Sequence, residues 1–173
     1  AVRPIDNAAS SGGGQNAAAR AGEKVWLPSI ETLVGIVRAL RLIADPFHKP
    51  GSVSVVAWKL DNRAAYKSWP ASVEAIRAAL LLVYDSSAGV LRLFEQLCLC
   101  FGCLGSVYGY CFISLAICVV SCELADVLLC GYVDDFLAAD FAGLAEGSAK
   151  FFVDLHALLG ICIASEPEKA DFG

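Results

Sequence analysis

The segment Gly131–Phe136 reads Gly-Tyr-Val-Asp-Asp-Phe, so two adjacent carboxylates, Asp134 and Asp135, interrupt an otherwise apolar stretch. Hydrophobic residues stand on both sides, at Val127–Leu129 and Phe136–Ala138. This pattern predicts a tight β-hairpin whose strands are buried and whose tip carries both acidic side chains. Burying paired carboxylates without a counter-ion is costly. The pair therefore indicates either a divalent metal site held on rigid strands or an ordinary acidic turn.

The composition indicates one domain with an uneven charge distribution. The chain has 173 residues, of which 57% are hydrophobic, and this is enough for a sizeable core. It contains no Met and opens without a targeting segment, so we expect an internal piece of a longer polyprotein or a trimmed chain. Residues 1–95 carry 11 Lys and Arg against 8 Asp and Glu, whereas residues 96–173 carry 2 against 10. The basic part suits contact with a polyanion, and the acidic part suits cation binding.

The cysteines do not form a recognisable metal or disulfide pattern. Seven of the eight lie between positions 98 and 130, in the most apolar region. The cluster Cys98-x-Cys100-x-x-Cys103 lacks a second cysteine pair or a histidine at zinc-finger spacing, because His48 and His156 are both isolated. Thiols acting as small buried hydrophobes account for the pattern better. We therefore expect a reducing, intracellular location, in the cytoplasm or nucleus.

Hydrophobic periodicity and breaker residues predict an alternation of helices with strands. The predicted elements are a helix between Ser29 and Asp45, a strand Val53–Asp61, a hairpin of Leu80–Tyr84 and Val90–Phe94, a helix within 97–122, the acidic hairpin Leu128–Ala138, a helix Ala142–Leu159 and a short strand Ile161–Ala164.

The run from Leu97 to Cys122 contains no charged residue and is long enough to span a bilayer. It also holds Gly105-x-x-x-Gly109, a spacing that allows close helix packing in membranes. No Lys or Arg cluster flanks the run to orient it. A helix buried beneath a sheet in a soluble domain needs the same composition. Both interpretations, a membrane span and a core helix, are carried forward.

Asp61 stands at the end of a predicted strand, where a carboxylate is well placed for chemistry or for capping. If this strand and the acidic hairpin are neighbours in one antiparallel sheet, Asp61 can meet Asp134 and Asp135. Three such carboxylates can hold two divalent ions about 3.5–4 Å apart, which is the arrangement used for phosphoryl transfer.

Five segments in this order resemble the motifs of the palm region of a retroelement reverse transcriptase. Tyr132–Asp135 resembles the Tyr-x-Asp-Asp box, and Leu60–Lys67 resembles the first catalytic motif. Phe101–Ser106 resembles the glycine-serine motif that opens a helix under the template. Leu158–Gly160 followed by Lys169 resembles the fourth motif, and Arg3–Asp6 resembles the arginine-containing start of the fingers.

The resemblance implies an α+β fold, a reverse-transcriptase palm whose antiparallel sheet is of the split βαβ type with helices packed on one face. It implies partial fingers and a linker over residues 1–52, a palm over residues 53–173, and no thumb. It also implies RNA-directed DNA polymerisation with Mg²⁺ or Mn²⁺ on a template-primer of RNA or DNA. Deoxynucleoside triphosphates would be the substrates, and no membrane partner is expected.

The same resemblance assigns roles to individual residues. Asp61, Asp134 and Asp135 would hold the metal ions and carry catalysis. Lys169 would protonate the leaving pyrophosphate. The nucleotide would be bound by residues of three other motifs, namely Arg3 on its phosphates, Tyr66 as a gate against the ribose 2′-hydroxyl, and Gly102 with Ser106 beneath it.

Two departures from the family pattern leave a second alternative. Leu99-Cys100 precedes Phe101 where the family usually has Leu-Pro, and Val107 follows Ser106 where Pro is common. A catalytically inactive remnant of a retroelement would show the same motifs with such changes. The sequence therefore leaves three hypotheses: an active polymerase fragment, an inactive remnant, and a protein that spans a membrane at 97–122.

Overall fold

The computed structural model describes residues 27–49 and 52–164. The predicted sites at Arg3 and Lys169 lie outside these residues. The described residues fall into two units. The first comprises 64–108, and the second comprises 27–49, 52–63 and 109–164.

The first helix of the second unit, α1, spans Ile30–Ala44. Ser29 caps its N-terminus by accepting a hydrogen bond from the backbone amide of Glu31, and the Thr32 side chain accepts from the Ser29 amide. The helix ends at Asp45, whose amide donates to the Arg41 carbonyl. The helix predicted between Ser29 and Asp45 is therefore confirmed.

Three strands of the second unit form one antiparallel sheet in the order β1-β5-β4. They are β1 (Val55–Asp61), β4 (Leu129–Tyr132) and β5 (Asp135–Phe141). The register places Val55 opposite Phe141 and Asp61 opposite Asp135. The strand that ends at Asp61 is thus the direct neighbour of the acidic hairpin, as the sequence-based hypothesis required.

One face of this sheet carries the aromatic core. Helix α4 (Ala145–Leu158) sets the Phe152 ring 4.9 Å from that of Phe136 and 5.8 Å from that of Trp58. His156, one turn later, lies 4.1 Å from Phe152 between ring centroids, and all solvent is excluded from it. This contact between α4, β1 and β5 fixes the helix against the end of the sheet that carries the carboxylates.

The longest helix, α3, spans Leu104–Ala125, beginning in the first unit and continuing in the second. Side chains Ser114 and Cys118 lie beneath Gly131 of β4. The helix predicted within 97–122 therefore begins later than expected, at Leu104, and extends to Ala125, because residues 97–103 precede it. There, the Leu97 carbonyl and Leu99 amide are instead hydrogen-bonded to the backbone of residues 71 and 69.

Both faces of the sheet carry buried residues. Side chains alternate along β5, so Ala138 and Ala139 point to opposite faces, yet both are buried. Cys130 of β4 is buried as well. Helix α1 packs against all three strands. The fold is α+β, with small antiparallel sheets and packed helices.

The first unit is built around a second hairpin, formed by β2 (Leu80–Asp85) and β3 (Val90–Glu95). Asp85 shapes its turn, because one carboxylate oxygen accepts from the amides of Ser87 and Ala88 while the other pairs with Arg92. Nearly all side chains of the two strands are exposed. This hairpin confirms the prediction, whereas the short preceding helix α2 (Val73–Ala78) was not predicted.

The predicted strand Ile161–Ala164 is reduced to a single bridge between Ile163 and Asn62. Two backbone hydrogen bonds flank this bridge, from Arg63 to the Cys162 carbonyl and from Ala164 to the Asp61 carbonyl, both 2.8 Å long. The segment is therefore hydrogen-bonded to the end of β1 but does not form a further strand of the sheet.

Candidate functional site

The acidic hairpin has a two-residue turn, made of Val133 and Asp134 and closed by the pair Tyr132–Asp135. Asp134 thus lies in the turn, whereas Asp135 is the first residue of β5, which refines the prediction that both occupy the tip. Val133 has a φ of 56°, and a positive φ at the first turn residue is typical of a type II′ turn. A β-branched residue is a genuine outlier there, and such a conformation costs about 1–3 kcal/mol.

Neighbouring elements hold this strained turn from two sides. From α3, the buried Ser114 hydroxyl donates a 2.6 Å hydrogen bond to the Val133 carbonyl. From the end of β1, the Asn62 amide donates to the Asp134 carbonyl at 3.2 Å. The Asn62 side chain is itself fixed by donating to the Tyr110 hydroxyl at 2.7 Å. The position of Asp134 relative to Asp61 therefore depends on α3 as well as on the sheet.

Gly131 permits this close approach of α3. A Cβ atom placed on Gly131 would lie 3.3 Å from Cys118 Sγ, Ser114 Cβ and Phe136 Cε1. These distances are tighter than ordinary van der Waals contact, so a side chain at this position would require the neighbouring atoms to move by a few tenths of an ångström. The glycine before the Tyr-Val-Asp-Asp sequence is thus a packing requirement of the site.

Two of the carboxylates, those of Asp61 and Asp135, lie on one face of the sheet. Asp61 and Asp135 are directly opposite in the β1–β5 register, so their side chains project to the same side. Lys59 lies two residues before Asp61 and shares that face. Its Nζ is 2.8 Å from Asp135 Oδ1, and the pair is partly exposed. Sequence reasoning missed Lys59, although alternation along the predicted strand would have placed it beside Asp61.

The site is electrostatically coupled. Partial burial raises the pKa of Asp134 above its ordinary value, and the negative charges of Asp61 and Asp135 add to this increase. The hydrogen bond to Asp135 raises the pKa of Lys59, and the charges of Asp61 and Asp134 act in the same direction. Asp134 therefore lies within electrostatic range of both Asp61 and Asp135.

These residues fit a hard divalent ion in donor type and charge. Carboxylate oxygens are the ligands that Mg²⁺ and Mn²⁺ favour. Within residues 27–49 and 52–164, no three His, Cys, Asp or Glu side chains already converge as a ready-made metal cage. Asp135 is instead bonded to Lys59. The roles of Asp61, Asp134 and Asp135 as metal ligands therefore stay predictions.

Three predicted nucleotide-binding residues lie in the first unit, whereas the carboxylates lie in the second. Tyr66 is buried in a 3-10 turn (Ala65–Ser68), where its ring meets Phe101 edge-on at 5.5 Å. Gly102 has a φ of 83°, a left-handed conformation that glycine adopts without strain. Ser106 is buried in the first turn of α3. Their nucleotide-binding roles stay predictions.

Among the described residues, one helix, α3, is long enough and apolar enough to cross a membrane. Its most apolar window has a mean hydropathy of 1.8. Only 28% of that window is buried, and Phe112, Leu115 and Val119 are more than half exposed. The same helix contacts the acidic hairpin through Ser114. The helix is therefore part of the site's support and also carries an uncovered apolar face.

Comparison with known proteins provides no independent identification. No family model matches the sequence, and no curated protein is significantly similar to it.

Proposed function

We propose that the chain is the palm, with part of the fingers, of a retroelement RNA-directed DNA polymerase. One observation carries this proposal: the β1–β5 register sets Asp61 opposite Asp135, directly beside the turn that holds Asp134. The resemblance of five ordered segments to reverse-transcriptase motifs gives this acidic face its interpretation. The sheet would then be the palm sheet of a split βαβ fold.

Asp61 and Asp134 would hold two Mg²⁺ or Mn²⁺ ions, with Asp135 as a further ligand. When bound, the ions supply a positive field that favours attack of the primer 3′-hydroxyl on the α-phosphate and departure of pyrophosphate. The protein's part is positional. Ser114 and Asn62 hold the turn, so that the carboxylates of β1 and the hairpin keep a constant separation.

The remaining roles in this proposal rest on the resemblance. Tyr66 would exclude ribonucleotides by its bulk, and Gly102 with Ser106 would lie beneath the incoming nucleotide. Arg3 would bind the triphosphate in a bidentate manner, and Lys169 would give a proton to the departing pyrophosphate.

Primer extension on an RNA template tests the proposal directly. Asp134→Asn and Asp61→Asn keep the side-chain size and remove one negative charge each, and we expect a loss of roughly 10²–10³-fold in rate. Asp154→Asn is the matched control, because Asp154 is an exposed residue of α4 whose partner is Lys150. If the wild type extends the primer and both site variants extend it at the same rate, the proposal is refuted. A folded wild type without any extension would favour the inactive remnant.

The exposed apolar face of α3 supports a second candidate, a membrane-spanning protein. Phase partition in a nonionic detergent distinguishes the two, because a spanning protein enters the detergent phase, whereas a polymerase palm stays in the aqueous phase. Leu115→Lys would abolish detergent partition of a span, since a lysine at the centre of a membrane helix is costly. Retention of the wild type in the aqueous phase would exclude this candidate.

A further inference from the structure

Lys59 is a cation placed within the acidic site itself. Strand alternation sets it on the face of β1 that carries Asp61, and the antiparallel register brings it diagonally across to Asp135. The ion pair that results, 2.8 Å between Nζ and Oδ1, joins β1 to the acidic hairpin.

We propose that Lys59 is an internal counter-ion that neutralises the acidic hairpin in the metal-free protein and releases Asp135 when a divalent ion binds. This inference rests on the proposed function, because it takes the carboxylates of Asp61, Asp134 and Asp135 to be the metal ligands.

The geometry makes the exchange physically reasonable. The Lys59 side chain is 48% exposed and that of Asp135 is 36% exposed, so the ammonium group can move into solvent without unfolding the sheet. A partly exposed ion pair contributes only modestly to stability, so a divalent ion can offset the cost of separating this pair. A divalent ion brings twice the charge of the ammonium group and can contact several carboxylate oxygens at once.

The Lys59–Asp135 pair also offsets a repulsion between carboxylates that is absent around an isolated surface salt bridge. Three carboxylates repel one another when no cation is present, and this repulsion would push the hairpin tip away from β1. Lys59 offsets the repulsion at the strand register where Asp61 faces Asp135. Metal binding then becomes a competition between two cations for the same carboxylates.

Lys150 and Asp154 provide a comparison within the same unit. They form an exposed ion pair one turn apart on α4, with side chains 73% and 62% exposed. Helical spacing alone brings Lys150 and Asp154 together. Removing Lys150 changes the net charge of the protein as much as removing Lys59 does, so Lys150→Met controls for general electrostatic effects.

Binding of Mn²⁺ to the full chain, followed by the electron paramagnetic resonance signal of free Mn²⁺, tests the inference without any need for catalysis. We expect Lys59→Met to bind Mn²⁺ up to about fivefold more tightly than the wild type, because a competing positive charge has been removed. Lys59→Arg keeps the charge and should retain wild-type affinity, and so should Lys150→Met. Equal affinity in wild type and Lys59→Met would overturn the inference.

Thermal unfolding provides a second readout. In a chelator, Lys59→Met should unfold at a lower temperature than the wild type, and Mn²⁺ should abolish the difference. If Lys59→Met does not fold, Lys59→Gln keeps a hydrogen-bond donor without the charge and is expected to show the same tighter binding. A chelator-insensitive difference in Tm, with unchanged affinity, would mean that Lys59 only stabilises the sheet.

The outcomes separate this inference from the proposed function. If Asp134→Asn weakens Mn²⁺ binding while Lys59→Met leaves it unchanged, the metal site stands and the counter-ion inference is wrong. If neither the wild type nor Lys59→Met binds Mn²⁺, or if Asp134→Asn has no effect on binding, the metal site and the inference fail together.

Discussion

Two buried serines of helix α3, Ser114 and Ser121, lie two turns apart and predict opposite results for the same substitution. Ser114 is 2% exposed and donates a hydrogen bond to the Val133 carbonyl in the acidic turn. Ser121 is fully buried, and its hydroxyl finds no hydrogen-bond partner among the described residues. Replacing each by alanine removes one buried hydroxyl from the same helix, so the difference between the variants isolates the hydrogen bond.

The expected magnitudes follow from this difference. Ser114→Ala loses the bond and leaves a partly buried carbonyl without its donor, which should lower the free energy of unfolding by about 1–2 kcal/mol. Ser121→Ala removes a hydroxyl whose burial is uncompensated, so it should be neutral or slightly stabilising. The substituted helix positions are otherwise alike, because alanine favours a helix at both.

Urea unfolding followed by circular dichroism measures the effect. With a slope of roughly 2 kcal/mol/M, the midpoint for Ser114→Ala should fall by roughly 0.5–1 M without a change in slope. The midpoint for Ser121→Ala should stay equal to that of the wild type or rise. If both variants lose the same stability, the Ser114 bond does not hold the turn, and the reasoning about how α3 supports Asp134 is refuted.

Two further variants test the packing and the pH dependence of the second unit. Gly131→Ala should destabilise by about 1–2 kcal/mol because its methyl group meets three atoms at 3.3 Å, whereas Gly147→Ala in α4, with open space around it, should be neutral or stabilising in the same unfolding assay. Burial lowers the pKa of His156, so the folded protein resists protonation there and stability should fall as the pH drops from about 6.5 towards that lowered pKa. His156→Gln should flatten this part of the pH profile while exposed His48→Gln leaves it intact, and a wild-type unfolding midpoint that is constant between pH 7 and 5 would contradict the assignment.

The parts of the fold that sequence could predict are those specified by local signals. Ser29 and Asp45 mark the ends of α1 because capping depends on residues within one turn. The turn at Asp85 is similarly local, since its carboxylate bonds the next few amides. The sequence predicted that Asp61 would meet Asp135 only if β1 and the acidic hairpin were neighbours in one sheet. That pairing depends on residues more than seventy positions apart.

Some of the missed features depend on such distant pairing. The Lys59–Asp135 contact requires the register of β1 against β5, which periodicity within either strand cannot determine. The strained backbone of Val133 contradicts local preference, since a two-residue turn would favour glycine or asparagine there. Residues 161–164 have strand-like composition, yet backbone bonds at the end of β1 leave them with a single bridge.

The hairpin of β2 and β3 has a consequence for the behaviour of the protein in solution. Its two strands pair only with each other within the described residues, so each has an outer edge of unpaired backbone groups. Leu82, Leu91 and Leu93 are all more than 60% exposed. Apolar ribbons with open edges readily add strands from other molecules, and isolated two-stranded sheets are only marginally stable. Self-association through this ribbon should therefore set the concentration at which the chain remains monomeric.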